Sequence, residues 1–185
     1  ADMKGALKTR KVEHRAAISR AELPDFLKKL NAYAGDPITK LALKLIVLTF
    51  VRTEELRGAR WEEFDLDQRE WRIPAERMKM RSPHSVPVSP QALAVVEELK
   101  PLTGHFDLLF TSQRGQGKPI SENTLLYALY RLGYHKRATV HGFRALASTV
   151  LNETGFRPDV IERQLAHAER NKVRAGPNTW RIGER

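Results

Sequence analysis

Cysteine is missing from all 185 residues, so the chain has no disulfide and no thiolate metal site and suits a reducing compartment. Long apolar runs are missing too. The longest, from Leu43 to Val51, is broken by Lys44 and Thr49 and falls short of the roughly 20 residues that cross a bilayer. The opening Ala1-Asp2-Met3-Lys4 has no apolar signal core behind it. No internal repeat or low-complexity block is present. Arg114-Gly115-Gln116-Gly117-Lys118 lacks the spacing and the Lys-Ser/Thr ending of a phosphate-binding P-loop, and reads as a flexible basic loop. Acidic side chains are also in short supply: 32 Lys+Arg face 22 Asp+Glu, a formal charge of +10. That excess favours a polyanion, first nucleic acid through counterion release and second an anionic membrane surface. No basic amphipathic helix stands out, which disfavours the membrane. The 41% hydrophobic content is that of one ordinary globular domain with a real core.

In chain order, residues 1–18 form a basic, poorly patterned lead-in carrying Lys4, Lys8, Arg10, Lys11, His14 and Arg15. Ser19-Arg20-Ala21-Glu22 fits a capping box ahead of Leu23, Phe26, Leu27 and Leu30 at helical spacing. Asp36-Pro37 is a cap followed by a first-turn proline, and Ile38, Leu41, Ala42, Leu45, Ile46 and Phe50 predict a central core helix. Arg52-Thr53-Glu54-Glu55-Leu56 opens a second short helix to about Arg60, with Glu55 in reach of Arg52. Trp61 to Val88 changes period. Short aromatic or β-branched pieces predict an antiparallel sheet of two or three strands, whose second turn carries Lys79 and Arg81. Ser89-Pro90 caps a helix ended by Pro101 and Gly104. Ser121 caps another that stops at Gly133 and carries Asn123 in its first turn.

Thr139 to Leu151 is the segment around which the rest is organised. As a helix it places His141 and Arg144 on one face of its first turn, while Phe143, Leu146, Ala147, Val150 and Leu151 form a buried stripe. Two cationic-capable groups at a helix start suit a phosphate, because arginine grips its oxygens with a two-pronged fork. Gly155 ends this helix. A further one starts at Arg157-Pro158 and carries Ile161, Leu165 and Ala168, with His167 near its end. Taken singly, each polar residue has an ordinary structural reading: a capping arginine, a solvated hairpin lysine, a histidine at a helix carboxyl end.

Taken in order, Arg52-x-x-Glu55-Leu56 after a buried helix, Lys79 in a β-turn, His141-x-x-Arg144 and Leu165-Ala166-His167 resemble the catalytic domain of the tyrosine recombinases, the phage integrase family of prophages and genomic islands. The resemblance covers roughly residues 35 to 175. It implies a mainly α domain with a small antiparallel β-sheet (α+β), over residues 19–175. It also implies double-stranded DNA as partner, self-association on that DNA, and a bacterial cytoplasmic, nucleoid-associated setting. By the same resemblance the chemistry needs no metal or other cofactor. Arg52 and Arg144 would hold the non-bridging oxygens of the scissile phosphate, and Lys79 would protonate the departing 5′ oxygen. His141 and His167 would donate hydrogen bonds, Glu55 would support the cluster, and Arg81 and Asn123 would touch DNA.

One position departs from that pattern. The family places a tyrosine nucleophile nine or ten residues after the second histidine, and here those positions are Gly176 and Pro177. The four tyrosines, Tyr33, Tyr127, Tyr130 and Tyr134, all precede His141. The expectation is therefore a catalytic-domain fragment: residues 1–18 as linker from a missing DNA-binding region, and residues 176–185 as an aberrant or truncated tail. The alternative is a DNA-binding module without chemistry.

Overall fold

The computed structural model describes residues 16–112 and 115–166. The expected capping box forms: the Ser19 N–H and hydroxyl both donate to Glu22 Oε2 at 2.9 Å. A short 3-10 turn at Arg20–Glu22 then leads into helix α1 (Leu23–Asn31), which buries Phe26 and Leu30. Asp36 caps α2 (Pro37–Thr49), accepting the Thr39 N–H at 2.8 Å. Ile38, Leu41, Ala42, Leu43, Leu45, Ile46 and Val47 are all buried there, so this helix is the centre of the core. Each leucine, isoleucine or valine among them contributes about 1.5–3 kcal/mol through burial. Around α2 pack α1, α4 (Pro90–Thr103) and α5 (Thr124–Arg131).

Phe50 ends α2 in the left-handed conformation, φ 57°, which turns the chain sharply into α3 (Thr53–Arg57). α3 stops at Arg57 rather than at Arg60, because Arg60 leaves the helix to bridge Leu108. The sheet has three antiparallel strands in sequential order: β1 (Phe64–Asp65), β2 (Glu70–Ile73) and β3 (His84–Pro87). Trp71 faces Val86 and Ile73 faces His84, and all four side chains point into the core by the two-residue alternation of strands.

Three local expectations are corrected. Gly115 is the start of a strand, not part of a loop: β4 (Thr111–Ser112) pairs with β5 (Gly115–Pro119), because the Ile120 N–H and the Phe110 carbonyl lock the base of the hairpin at 3.0 Å. Pro101 lies inside α4, which runs on to Thr103. The buried Thr103 hydroxyl donates to the Leu109 carbonyl at 2.8 Å, and the Trp61 indole donates to the Thr103 carbonyl, holding the last turn. Asn123, not Ser121, is the residue before α5, while the Ser121 hydroxyl pairs with Thr124 Oγ1.

The last two helices among the described residues are α6 (Gly142–Glu153) and α7 (Pro158–Gln164), separated by Gly155 at φ 81°. In α6, Phe143, Leu146 and Ala147 are buried, while Val150 and Leu151 are half-buried at the edge of the expected stripe. Gly142 is needed for packing. A Cβ there would come within 2.4 Å of the Ala16 carbonyl oxygen. Ala168 and His167 lie outside the described residues.

Candidate phosphate-binding site

Arg52 sits in the extended residue before α3, and Glu55 sits on that helix's first turn. The Glu55 carboxylate is 2% exposed and takes two bonds from Arg52: the backbone N–H at 2.7 Å and Nη1 at 2.7 Å. Arg52 Nη2 donates to the Ala166 carbonyl at 2.9 Å. The arginine is thus fixed at both prongs while its side chain remains 24% exposed. Those two bonds hold Arg52 in one orientation against the α3 turn.

Arg144, on the first turn of α6, is 5% exposed. Its Nη1 donates to the Phe50 carbonyl and its Nη2 to the Leu165 carbonyl. The Phe50 carbonyl belongs to the turn that closes α2, so the arginine resting on that turn is Arg144, not the neighbouring Arg52. Among the described residues, Arg144 Nε is the buried side-chain polar atom with no hydrogen-bond partner. Leaving such a donor unmade costs about 1–3 kcal/mol. Burial, helped by the charge of Arg52 and opposed by Glu55, lowers the Arg144 pKa to about 10, so it stays cationic at neutral pH.

His141 is the residue before α6, exposed, and its carbonyl accepts the Arg144 N–H at 3.1 Å. Lys79 and Arg81 lie exposed on the connection between β2 and β3, with Arg81 at φ 49°. No hydrogen bond or ion pair among the described residues joins Lys79 to Arg52, Glu55 or Arg144. Asn123 is exposed at the start of α5. The fold therefore brings Arg52, Glu55 and Arg144 into one cluster with His141 at its edge, and leaves Lys79, Arg81 and Asn123 on the surface. Of the tyrosines, Tyr134 is buried with its hydroxyl donating to Asp25 at 3.3 Å, and Tyr127 is exposed on α5.

Three supports escaped the sequence reading. His84 begins β3 and is 5% exposed, with Glu55, Arg144, Arg52 and the Gln164 backbone around it. The alternation His84, Val86, Val88 was the available signal. Gln164 donates from Nε2 to the Thr49 carbonyl at 3.0 Å, tying α7 to the end of α2. Arg77 reaches both oxygens of the Glu63 carboxylate and also the Glu55 carbonyl, while the Trp71 indole donates to Glu63 at 2.9 Å. This buried network braces α3 from behind.

The Phage integrase family model matches residues 17–175, most of the chain and all of the cluster just described. The chain belongs to the phage integrase family. It is 46% identical over 189 aligned residues to the integrase of Enterobacteria phage P4, covering 94% of this chain and 43% of that protein. It is 41% identical over 157 residues to the prophage integrase IntA of Escherichia coli K12, covering 85% and 38%. The chain thus spans less than half the length of these relatives. Among solved structures, the Tn1549 transposon integrase in complex with a circular intermediate DNA superposes with a TM-score of 0.72 at 16% identity, over 85% of this chain and 59% of that one. The lambda integrase tetramer bound to a Holliday junction gives 0.65 at 18%, over 91% and 52%. The chain thus has the mainly helical fold, with a small antiparallel sheet, of tyrosine-recombinase catalytic domains.

Proposed function

We propose that this chain is the catalytic domain of a site-specific DNA recombinase and that it seats one phosphodiester of double-stranded DNA between Arg52 and Arg144. The observation that carries the reading is Arg144: a buried guanidinium held at two corners by backbone carbonyls, its Nε donor unpartnered, beside a second anchored arginine. Fixed cations that need not reorganise are what phosphoryl transfer draws on, since negative charge builds on the phosphate oxygens in the transition state. Arg52 and Arg144 take the non-bridging oxygens and Glu55 holds Arg52 in place. Lys79, on its exposed turn, would be the general acid for the departing 5′ oxygen once a nucleophile is supplied. His141 and His167 add hydrogen bonds to the phosphate, and Arg81 and Asn123 meet the flanking backbone. Self-association on DNA and a bacterial cytoplasmic, nucleoid-associated setting are part of the same reading.

A nucleophile must attack phosphorus as the P–O5′ bond breaks, and Gly176 and Pro177 cannot do so. We therefore infer that this chain binds DNA and does not cleave it unaided. Two measurements test the pair of statements. Duplex DNA affinity should fall at least about tenfold in Arg144→Ala, the loss of one charge-assisted contact; equal affinity in a variant that still melts cooperatively would overturn the phosphate site. On a nicked duplex the parent should give no covalent protein–DNA adduct in denaturing gels, and an adduct would overturn the second statement.

A further inference from the structure

The carboxyl end of α7 is a row of acceptors. The carbonyls of Gln164, Leu165 and Ala166 face, in order, the His84 ring, Arg144 Nη2 and Arg52 Nη2, which come from three separate parts of the chain. Helix ends leave such carbonyls without intrahelical partners and carry partial negative charge, so all three are natural seats for cations. Two seats are filled by the guanidinium groups of Arg144 and Arg52. The third holds a buried imidazole that can be charged or neutral. With the site empty, two guanidinium groups face one carboxylate, Glu55, and a third positive charge would be repelled. An anion in the site reverses that balance.

We propose that His84 is a positioning residue through which the phosphate site takes up a proton as an anion fills it, neutral while the site is empty and a third cation behind Arg52 and Arg144 once it is occupied. One proton passes from solvent to the unprotonated ring nitrogen on binding and returns on release, while the other ring N–H stays on the Gln164 carbonyl. The groups that face the ring fix the sign: burial, Arg144 and Arg52 favour the neutral form, and Glu55 and the Gln164 carbonyl favour the charged one. An added anion joins the second group, the phosphodiester of DNA with one negative charge and sulfate with two. The device matches the reaction, in which negative charge on the phosphate grows on the way to the transition state.

The inference rests on the phosphate-site reading, and the test separates the two. Sulfate is the probe, because it stays a dianion while histidine titrates between about pH 5 and pH 8. Ring resonances of His84 and Nε–H resonances of the arginines are followed by NMR in the intact chain, with and without sulfate. The Arg144 Nε–H should move on sulfate addition, and the His84 titration should shift to higher pH. A shift of one unit corresponds to sulfate binding about tenfold tighter at the acid end than at the alkaline end. His84→Gln keeps an amide donor for the Gln164 carbonyl and cannot titrate. It should bind sulfate as the parent does at the alkaline end and lose the acid-side gain. If Arg144 responds and His84 does not titrate differently, the proposal fails and the phosphate site stands. If sulfate leaves the Arg144 resonance in place, both fail.

Discussion

At the scale of single residues, the cluster is stabilised by geometry and penalised by charge. Arg52 and Glu55 form a partly buried pair whose carboxylate is fully engaged, and Arg144 is anchored by two carbonyls. Breaking such a pair from one side costs more than the pair itself contributes, because the partner is left buried and charged. His84 adds a pH dependence of defined sign. Burial holds its pKa below the ordinary 6.5. As pH falls below 6.5 the unfolded chain takes its proton first, so His84 stabilises the fold above that value and the contribution is lost as pH drops through the lowered one. Urea melts at neutral and at mildly acid pH should therefore show a larger acid loss in the parent than in His84→Gln. Identical losses would mean that the ring titrates alike in both states.

At the scale of elements, the core helices follow directly from sequence. Asp36-Pro37 caps α2, Ser19 and Glu22 form their box, and the aliphatic run of α2 is buried as its spacing requires. What stayed hidden depends on contacts between distant segments. Nothing local in Thr111 to Pro119 signals that two short polar pieces will pair, and the helix turn after Pro101 is held by the ties of Thr103 to Leu109 and Trp61. His84 reads as part of a turn until Ile73 is seen opposite it. The same holds for the network that joins β2 to α3. Glu63 is buried, and beyond the nearby Arg60 N–H its partners are Trp71 and Arg77, eight and fourteen residues on. Because Arg77 also holds the Glu55 carbonyl, it couples the strand that leads to Lys79 with the helix that fixes Arg52. Arg77→Met should destabilise the chain by about 3–5 kcal/mol by stranding the Glu63 carboxylate. Adding Glu63→Gln should recover part of that loss, so a double-mutant cycle in denaturant melts reads the coupling directly. Strict additivity would show that the two side chains do not act together.

At the scale of the whole molecule, a net charge of +10 would attract DNA whether or not a phosphate site exists, so affinity alone says little. The two contributions separate by salt. Exposed cations act through counterion release, and each phosphate contact adds about 0.9 to the slope of log affinity against log salt. An exposed lysine such as Lys28 should matter at low salt and cease to matter as the ionic strength approaches about 1 M, where the Debye length falls to about 3 Å. Arg144 is buried among fixed carbonyls and screened far less. Arg144→Ala should therefore lower both the slope, by about one contact, and the affinity extrapolated to about 1 M salt. Lys28→Ala should change the slope alone. If both variants converge on the parent at high salt, the arginine contributes only to the general field, and this domain grips DNA through its overall charge with no seat for one phosphate.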